Sequence, residues 1–224
     1  MNGRVSDLQN LYIVADGMGG HNAGEIASKT AVEVFYEYVQ NRDISEDDTV
    51  DALTEAANFA NTVVYTDAQE DKNCLGMGTT FTALTIIDNI KVRGTHVGDS
   101  RVYLINENGI ELMTKDHTYV QMMLQKGQIT KEEAKGHPRK NVLTKALGVG
   151  QKCEMDAIIF DIKDGDKVLM CTDGLSNMIT DDKIFEIVTS NNLETATEVL
   201  INTANQNGGT DNITLILIGK DGEQ

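Results

Sequence analysis

The stretch Val14-Ala15-Asp16-Gly17-Met18-Gly19-Gly20-His21 constrains this chain more than any other. It follows a short apolar run, Leu11-Tyr12-Ile13-Val14, which predicts a buried strand, and it precedes a long amphipathic helix. A carboxylate at a strand end, followed closely by glycines, suits a metal or phosphate site. The carboxylate is a hard oxygen ligand for Mg2+ or Mn2+, and glycine lets the backbone approach an ion closely. Asp-Gly is also a common tight turn, so the stretch alone leaves both readings open.

Two later stretches repeat the setting. Asp173 closes the apolar run Lys167 to Cys171, and Asp211 stands just before Ile213 to Ile218. Three carboxylates gathered at one end of a fold repel one another unless a cation lies between them. A carboxylate-rich set without a Cys or His ligand pattern favours Mg2+ or Mn2+ over Zn2+. Two such ions ~3.5–4 Å apart can clamp a phosphate and acidify a water, which suits phosphate-ester hydrolysis without a covalent intermediate.

Between these stretches the pattern alternates in blocks. The first helix starts near Ala23 or Gly24, with Ala27, Ala31, Val34, Phe35 and Tyr38 as its core stripe and Glu25, Lys29, Glu33 and Glu37 on other faces. Ser45 reads as the cap of a second helix running to about Gln69, with Val50, Leu53, Ala57, Ala60 and Val64 inward. Four strands follow: Thr79 to Ile87, Ile90 to Val97, Val102 to Ile105 and Ile110 to Met113. Their turns are Asp88-Asn89, Gly98 to Arg101 and Asn108-Gly109, and the spacing predicts one antiparallel sheet. Residues 115–150 are a polar excursion with a capping-box start at Thr130 and a cluster of bases (Lys135, Arg139, Lys140, Lys145), a candidate mobile flap. Strands Asp156 to Ile162 and Lys167 to Cys171 come next. Helices near Asp181 to Ser190 and Leu193 to Gln206 precede the last strand. The expected architecture is α+β: one domain over 1–224, a β-sandwich of two antiparallel sheets with a helical pair outside each.

Composition narrows the function classes. Net charge is −16, which disfavours nonspecific binding to nucleic acid or anionic membranes. No apolar run approaches the roughly 20 residues that span a bilayer, and the first residues lack a signal-peptide core, so the expected location is cytoplasmic. Cys74, Cys153 and Cys171 are widely spaced and read as reduced, buried thiols.

The motifs VADGMGGHNAGEIAS (14–28), GMGTT (76–80), HVGDSRVYL (96–104), KDHT (115–118), HPRKNVLTKALG (137–148), CTDGLSN (171–177) and GGTDNIT (208–214) occur in one order. In this the chain resembles the metal-dependent protein phosphatases, the type-2C serine/threonine phosphatases, and especially their bacterial branch. The resemblance implies hydrolysis of phosphoserine and phosphothreonine in proteins, with a metal-bound water as nucleophile. Carried over by motif, Asp16 would bridge two Mn2+ or Mg2+ ions, Gly17 would offer its carbonyl to one, and Asp173 and Asp211 would hold the other. Asp99 would match the ligand of a third, weaker metal. The partners implied are phosphorylated proteins, among them a serine/threonine kinase and its substrates.

Three features depart from the family pattern. Family members carry an opening strand with an Arg-x-x-Asn-Glu/Gln-Asp motif whose Arg holds the phosphate. Here Arg4-Val5-Ser6-Asp7 is only superficially similar, because Asp7 lies nine positions before Asp16, too close for a separate strand and loop. That departure supports a second reading, a catalytically impaired domain that binds metal and phosphoproteins. Met18 stands where some relatives carry a His proposed as general acid, and His21 reads as a loop or helix-start histidine, so no general acid is named. Asn177 stands where some relatives have an Asp that serves the third metal.

Overall fold

The computed structural model describes residues 10–20, 23–40, 42 and 44–219. Arg4, Asp7 and His21, and with them the question of an opening strand, lie outside the described residues. Strands β1 (Leu11–Val14), β4 (Phe81–Ile87), β5 (Lys91–Val97) and β8 (Asp156–Asp161) form one antiparallel sheet in the order β1-β4-β5-β8. Strands β6 (Arg101–Asn106), β7 (Gly109–Leu112), β9 (Lys167–Cys171) and β10 (Leu215–Gly219) form the other, in the order β10-β9-β6-β7. A short pair, β2 (Gly17–Met18) with β3 (Gly78–Thr79), stands beside them. Helices α1 (Ala23–Gln40) and α2 (Thr49–Glu70) cover the first sheet. The short α5 (Asp173–Ser176), with α6 (Asp181–Ser190) and α7 (Leu193–Gln206), covers the second. The excursion holds α3 (Tyr119–Gln125) and α4 (Lys131–Lys135).

Three apolar layers result, and the side-chain period of each element assigns residues to them. Between the sheets lie Val14, Leu84, Ile86, Val92 and Ile158 against Val102, Val168 and Met170. Under the first helical pair, Ala27, Ala31 and Phe35 with Leu53, Ala57 and Val64 pack on Phe81, Ala83 and Val97. The Phe35 and Phe81 ring centroids lie 4.9 Å apart. Under the second pair, Leu175, Ile184, Val188 and Leu200 pack on Tyr103, Ile105 and Leu169. Strand β4 is therefore buried on both faces: Phe81 and Ala83 point to the helices, Leu84 and Ile86 to the opposite sheet.

Several sequence expectations need correction. The four strands after Gly76 do not share a sheet. Gly98 to Ser100 carries the chain from β5 in one sheet to β6 in the other, whereas Asp88-Asn89 is a true hairpin turn with both residues at positive φ. Strand β1 is not wholly buried. It is the edge strand of its sheet among the described residues, and only Val14 is sealed. In α1 the stripe includes Val39, while Val34 and Tyr38 are only partly covered. Ser45 begins a turn rather than the second helix. Its hydroxyl accepts from the Asp48 amide, and the helix starts at Thr49. The capping box at Thr130 is present as expected. All three cysteines are free and buried.

The excursion is stitched down at its ends. The Tyr119 amide donates to the Val142 carbonyl at 2.8 Å, and Thr118 bridges Leu143. Beyond it, Asn61 on α2 is 1% exposed, accepts from the Gly148 amide at 2.8 Å and donates to the Gly150 carbonyl at 3.1 Å. Asn61→Ala strands that buried donor and carbonyl. Denaturant unfolding of the variant is expected to show a loss of about 1–3 kcal/mol, the usual cost of an unsatisfied buried polar group. A loss below about 0.5 kcal/mol would mean that water or a backbone shift replaces the amide.

Candidate metal and phosphate site

The Asp-bearing turns of the sequence motifs emerge at one end of the sandwich. Strand β1 ends there at Val14, β5 at Val97 and β9 at Cys171, while β4, β8 and β10 begin there. Asp16, Asp99, Asp173 and Asp211 are thus brought to one rim by topology rather than by proximity in sequence.

Each carboxylate is held by its backbone. The Asp16 amide donates to the Thr80 hydroxyl at 2.9 Å, and the Thr80 amide donates back to the Asp16 carbonyl at 2.9 Å. The Thr79 hydroxyl donates to the same carbonyl at 3.0 Å. The first turn of α1 presses on the next residue: a Cβ on Gly17 would fall 1.9 Å from the Gly24 carbonyl oxygen, so only glycine fits. Asp173 is the first residue of α5. The following Gly174 packs backbone to backbone on the Asp211 loop, where a Cβ would fall 2.2 Å from the Asn212 carbonyl oxygen. The Thr172 hydroxyl donates to that same oxygen at 3.3 Å and accepts from the Thr214 amide at 3.1 Å. The Asp173 and Asp211 loops are therefore one rigid unit.

A cavity of about 290 Å³ opens between that unit and Asp16, lined by Asp16, Gly17, Glu25, Ser28, Thr172 and Asn212. A larger groove of about 740 Å³ lies beside it, between the excursion and the start of α6. Asp99, Arg101, Asp116 and Asp173 line it from the sandwich, and Lys135 and Lys140 from the excursion. Arg101 donates to both oxygens of Asp116, at 3.0 and 2.7 Å. Asn177 donates its amide to Asp173 at 3.0 Å, so this position supports a neighbouring carboxylate instead of adding one.

The electrostatics agree with the geometry. Burial, and then the charges of Asp173 and Asp211, push the Asp16 carboxyl up to about 6. Burial, and then Asp173, push Asp99 up to about 7. Asp173 is also raised, by burial first and Asp211 second. Carboxyl groups that hold their protons so far above the ordinary value are ill solvated and mutually repelling, which a divalent cation would relieve. Among the described residues no three His, Cys, Asp or Glu side chains form a group able to enclose one ion by themselves. An ion here would complete its shell with backbone carbonyls and water, as Mg2+ and Mn2+ commonly do. The oxygen-only donor set thus fits such ions and does not fit a thiolate or imidazole site.

Sequence reasoning named the four carboxylates but missed their supports. Glu25 reads as one more polar residue of a helix face, yet it lines the Asp16 cavity. Thr80 and Asp116 lie inside quoted motifs, and nothing in their spacing reveals their partners.

A carboxyl group whose pKa is higher folded than unfolded favours folding at low pH, and that advantage is lost as pH rises through the folded value. In EDTA, Asp16→Asn is therefore expected to gain melting temperature relative to the parent between about pH 4 and pH 6, then to hold that lead. Mn2+ should reverse the order by stabilising the parent more. A difference that stays flat across that range would count against the repulsion.

Residues 3–214 match the family model described as Protein phosphatase 2C. The serine/threonine phosphatase stp of Listeria monocytogenes is 39% identical over 220 residues, covering 96% of this chain and 86% of that protein. The solved serine/threonine phosphatase of S. agalactiae superposes with a TM-score of 0.89 at 35% identity, covering 94% of this chain and 87% of the other. The catalytic domain of the serine threonine protein phosphatase PstP, solved in complex with 2 manganese ions, superposes with a TM-score of 0.82 at 32% identity, covering 93% and 86%.

Proposed function

Because the chain belongs to the protein phosphatase 2C family, we propose that the acidic rim is its catalytic centre, with roles that can be assigned residue by residue. Membership brings metal-dependent dephosphorylation of serine and threonine in proteins, and no relative favours the impaired reading. Asp16 would bridge two divalent ions, with the Gly17 carbonyl on one and Asp173 and Asp211 on the other; Asp99 would serve a third. Bound there, the ions would supply Lewis acidity toward the phosphate and lower the pKa of a water. The observation that carries this assignment is the cavity in which Asp16 and Gly17 face Thr172 and Asn212, the neighbours of Asp173 and Asp211.

The chain's own residues would do the rest. The rigid Asp173–Asp211 unit holds two carboxylates in fixed relation without spending side-chain entropy at the moment of binding. Asn177 keeps one oxygen of Asp173 engaged and so orients the other. The groove beside Asp99 and Asp173 would receive the phosphorylated segment, and Lys135 and Lys140 on its wall would draw in anionic peptide. Met18 has no proton to give, so the leaving alkoxide would take its proton from water.

Manganese is the favoured ion, on the strength of the manganese-bound relative. The partners we propose are phosphorylated proteins, including a serine/threonine kinase and that kinase's substrates. We assign a cytoplasmic location on the three buried free cysteines. Among the described residues no helix is long and apolar enough to cross a membrane.

The test is Mn2+-dependent release of phosphate from a phosphothreonine peptide. EDTA should abolish turnover and added Mn2+ restore it. Asp173→Asn should lower kcat by about 10²-fold or more, the scale on which removing one electrostatic stabiliser costs a hydrolase. Turnover unchanged in EDTA, or unaffected by Asp173→Asn, would sink the assignment.

A further inference from the structure

One buried cluster next to the rim takes no part in the proposed chemistry. His96 and His117 lie side by side with ring centroids 5.2 Å apart, and their side chains are almost wholly enclosed. Their four ring nitrogens are all committed, and the partners dictate the tautomers. The Gly98 amide can only donate, and it donates to His117 Nδ1 at 3.1 Å. The proton of His117 therefore sits on Nε2, which lies 3.2 Å from an Asp156 oxygen. The Lys115 carbonyl can only accept, so His96 Nε2 donates to it at 3.2 Å, and His96 Nδ1 accepts from the Thr82 hydroxyl at 2.9 Å. Neither ring has a nitrogen free to serve a substrate. Burial keeps both below the usual imidazole value, His96 down to about 4.

The backbone of His117 is equally engaged. Its amide donates to the Gly98 carbonyl at 2.7 Å, so the two residues grip each other in both directions. Its carbonyl accepts from the Thr144 amide at 2.7 Å, across the mouth of the excursion. Gly98 has φ +108, and a Cβ there would fall 2.6 Å from the Thr80 Cβ. The turn that presents Asp99 is thus wedged between Thr80 and His117.

We propose that His117 is a positioning residue: it fastens the root of the 115–150 excursion to the Gly98–Asp99 turn, so that the Asp99 carboxylate and the wall of the groove are held as one unit. The inference rests on the reading of Asp99 and the groove given above. It predicts that the bond to Gly98, rather than the imidazole as such, is what matters.

Two substitutions separate these. His117→Asn can place an amide oxygen near the Nδ1 position and keep the Gly98 acceptor, whereas His117→Gln reaches toward Nε2 and loses it. Hydrogen exchange at the Gly98 amide, measured on the metal-free chain, should speed up in the Gln variant and remain slow in the Asn variant. In the phosphothreonine-peptide assay, the Mn2+ concentration for half-maximal activity should rise about 10-fold in His117→Gln and stay within about 3-fold of the parent in His117→Asn, given that partners which orient ligands are typically worth 10- to 100-fold. Should the Gln variant not fold, His117→Ala, which removes the Nδ1 acceptor of the Gly98 amide without adding another group, should move both readouts the same way. Equal Gly98 exchange in parent and variants would overturn the clamp. Fast exchange with an unshifted Mn2+ requirement would overturn its link to Asp99. A parent without phosphatase activity would instead refute the proposed function, and the exchange comparison would still decide the clamp.

Discussion

Thr80 is the constraint on which the working end of this molecule depends. Its hydroxyl accepts from the Asp16 amide and shares a hydrogen bond of 2.8 Å with Ser100, while its amide donates to the Asp16 carbonyl. One small buried side chain thereby joins the end of β1, the start of β4 and the crossover between sheets. A hydroxyl is suited to this because it donates and accepts at a single atom, and burial makes every unmade bond costly. The Asp16 and Asp99 turns cannot move independently while that atom is satisfied on both sides.

The rim carries an electrostatic cost. Apolar layers on both faces of two sheets supply the favourable energy of folding, and at their end several carboxylates crowd into poorly solvated space. The cost is local, because the turns bearing those acids are held by backbone contacts that admit only glycine at Gly17 and Gly174. A rim built this way cannot relax by spreading its charges apart. Protonation or a bound cation would relieve it, so the ion binding proposed for this rim and the crowding of its charges would be two aspects of one arrangement.

Much of this was legible in the chain, and the limits follow from range. Helix periodicity located α1 and α2, the capping box at Thr130 marked α4, and Asp-Gly after an apolar run marked Asp16 and Asp173. All are signals carried within a few residues. Sheet membership was not legible, because Gly98 to Ser100 has the composition of a hairpin turn whether the next strand returns alongside or crosses to the other sheet. The full burial of β4 depends on layers supplied by other elements. Thr80 escaped notice for the same reason: its partners lie 64 and 20 residues away. Glu25 looked like solvated surface because helical phase fixes a face, not what that face meets.

The two ends of the sandwich are unequal. The motif-bearing turns gather at one, and the other carries plain connections such as Asp88-Asn89, Asn108-Gly109 and Lys163 to Asp166. The seven residues of β4 separate the ends by roughly 20 Å at about 3.3 Å per residue. With every native cysteine buried, a single cysteine introduced at Asn108 would be the one readily labelled thiol, remote from the acids. The far end is thus a handle: a dye, a surface tether or a fused reporter can be attached there, leaving the opposite rim, the proposed catalytic end, unobstructed.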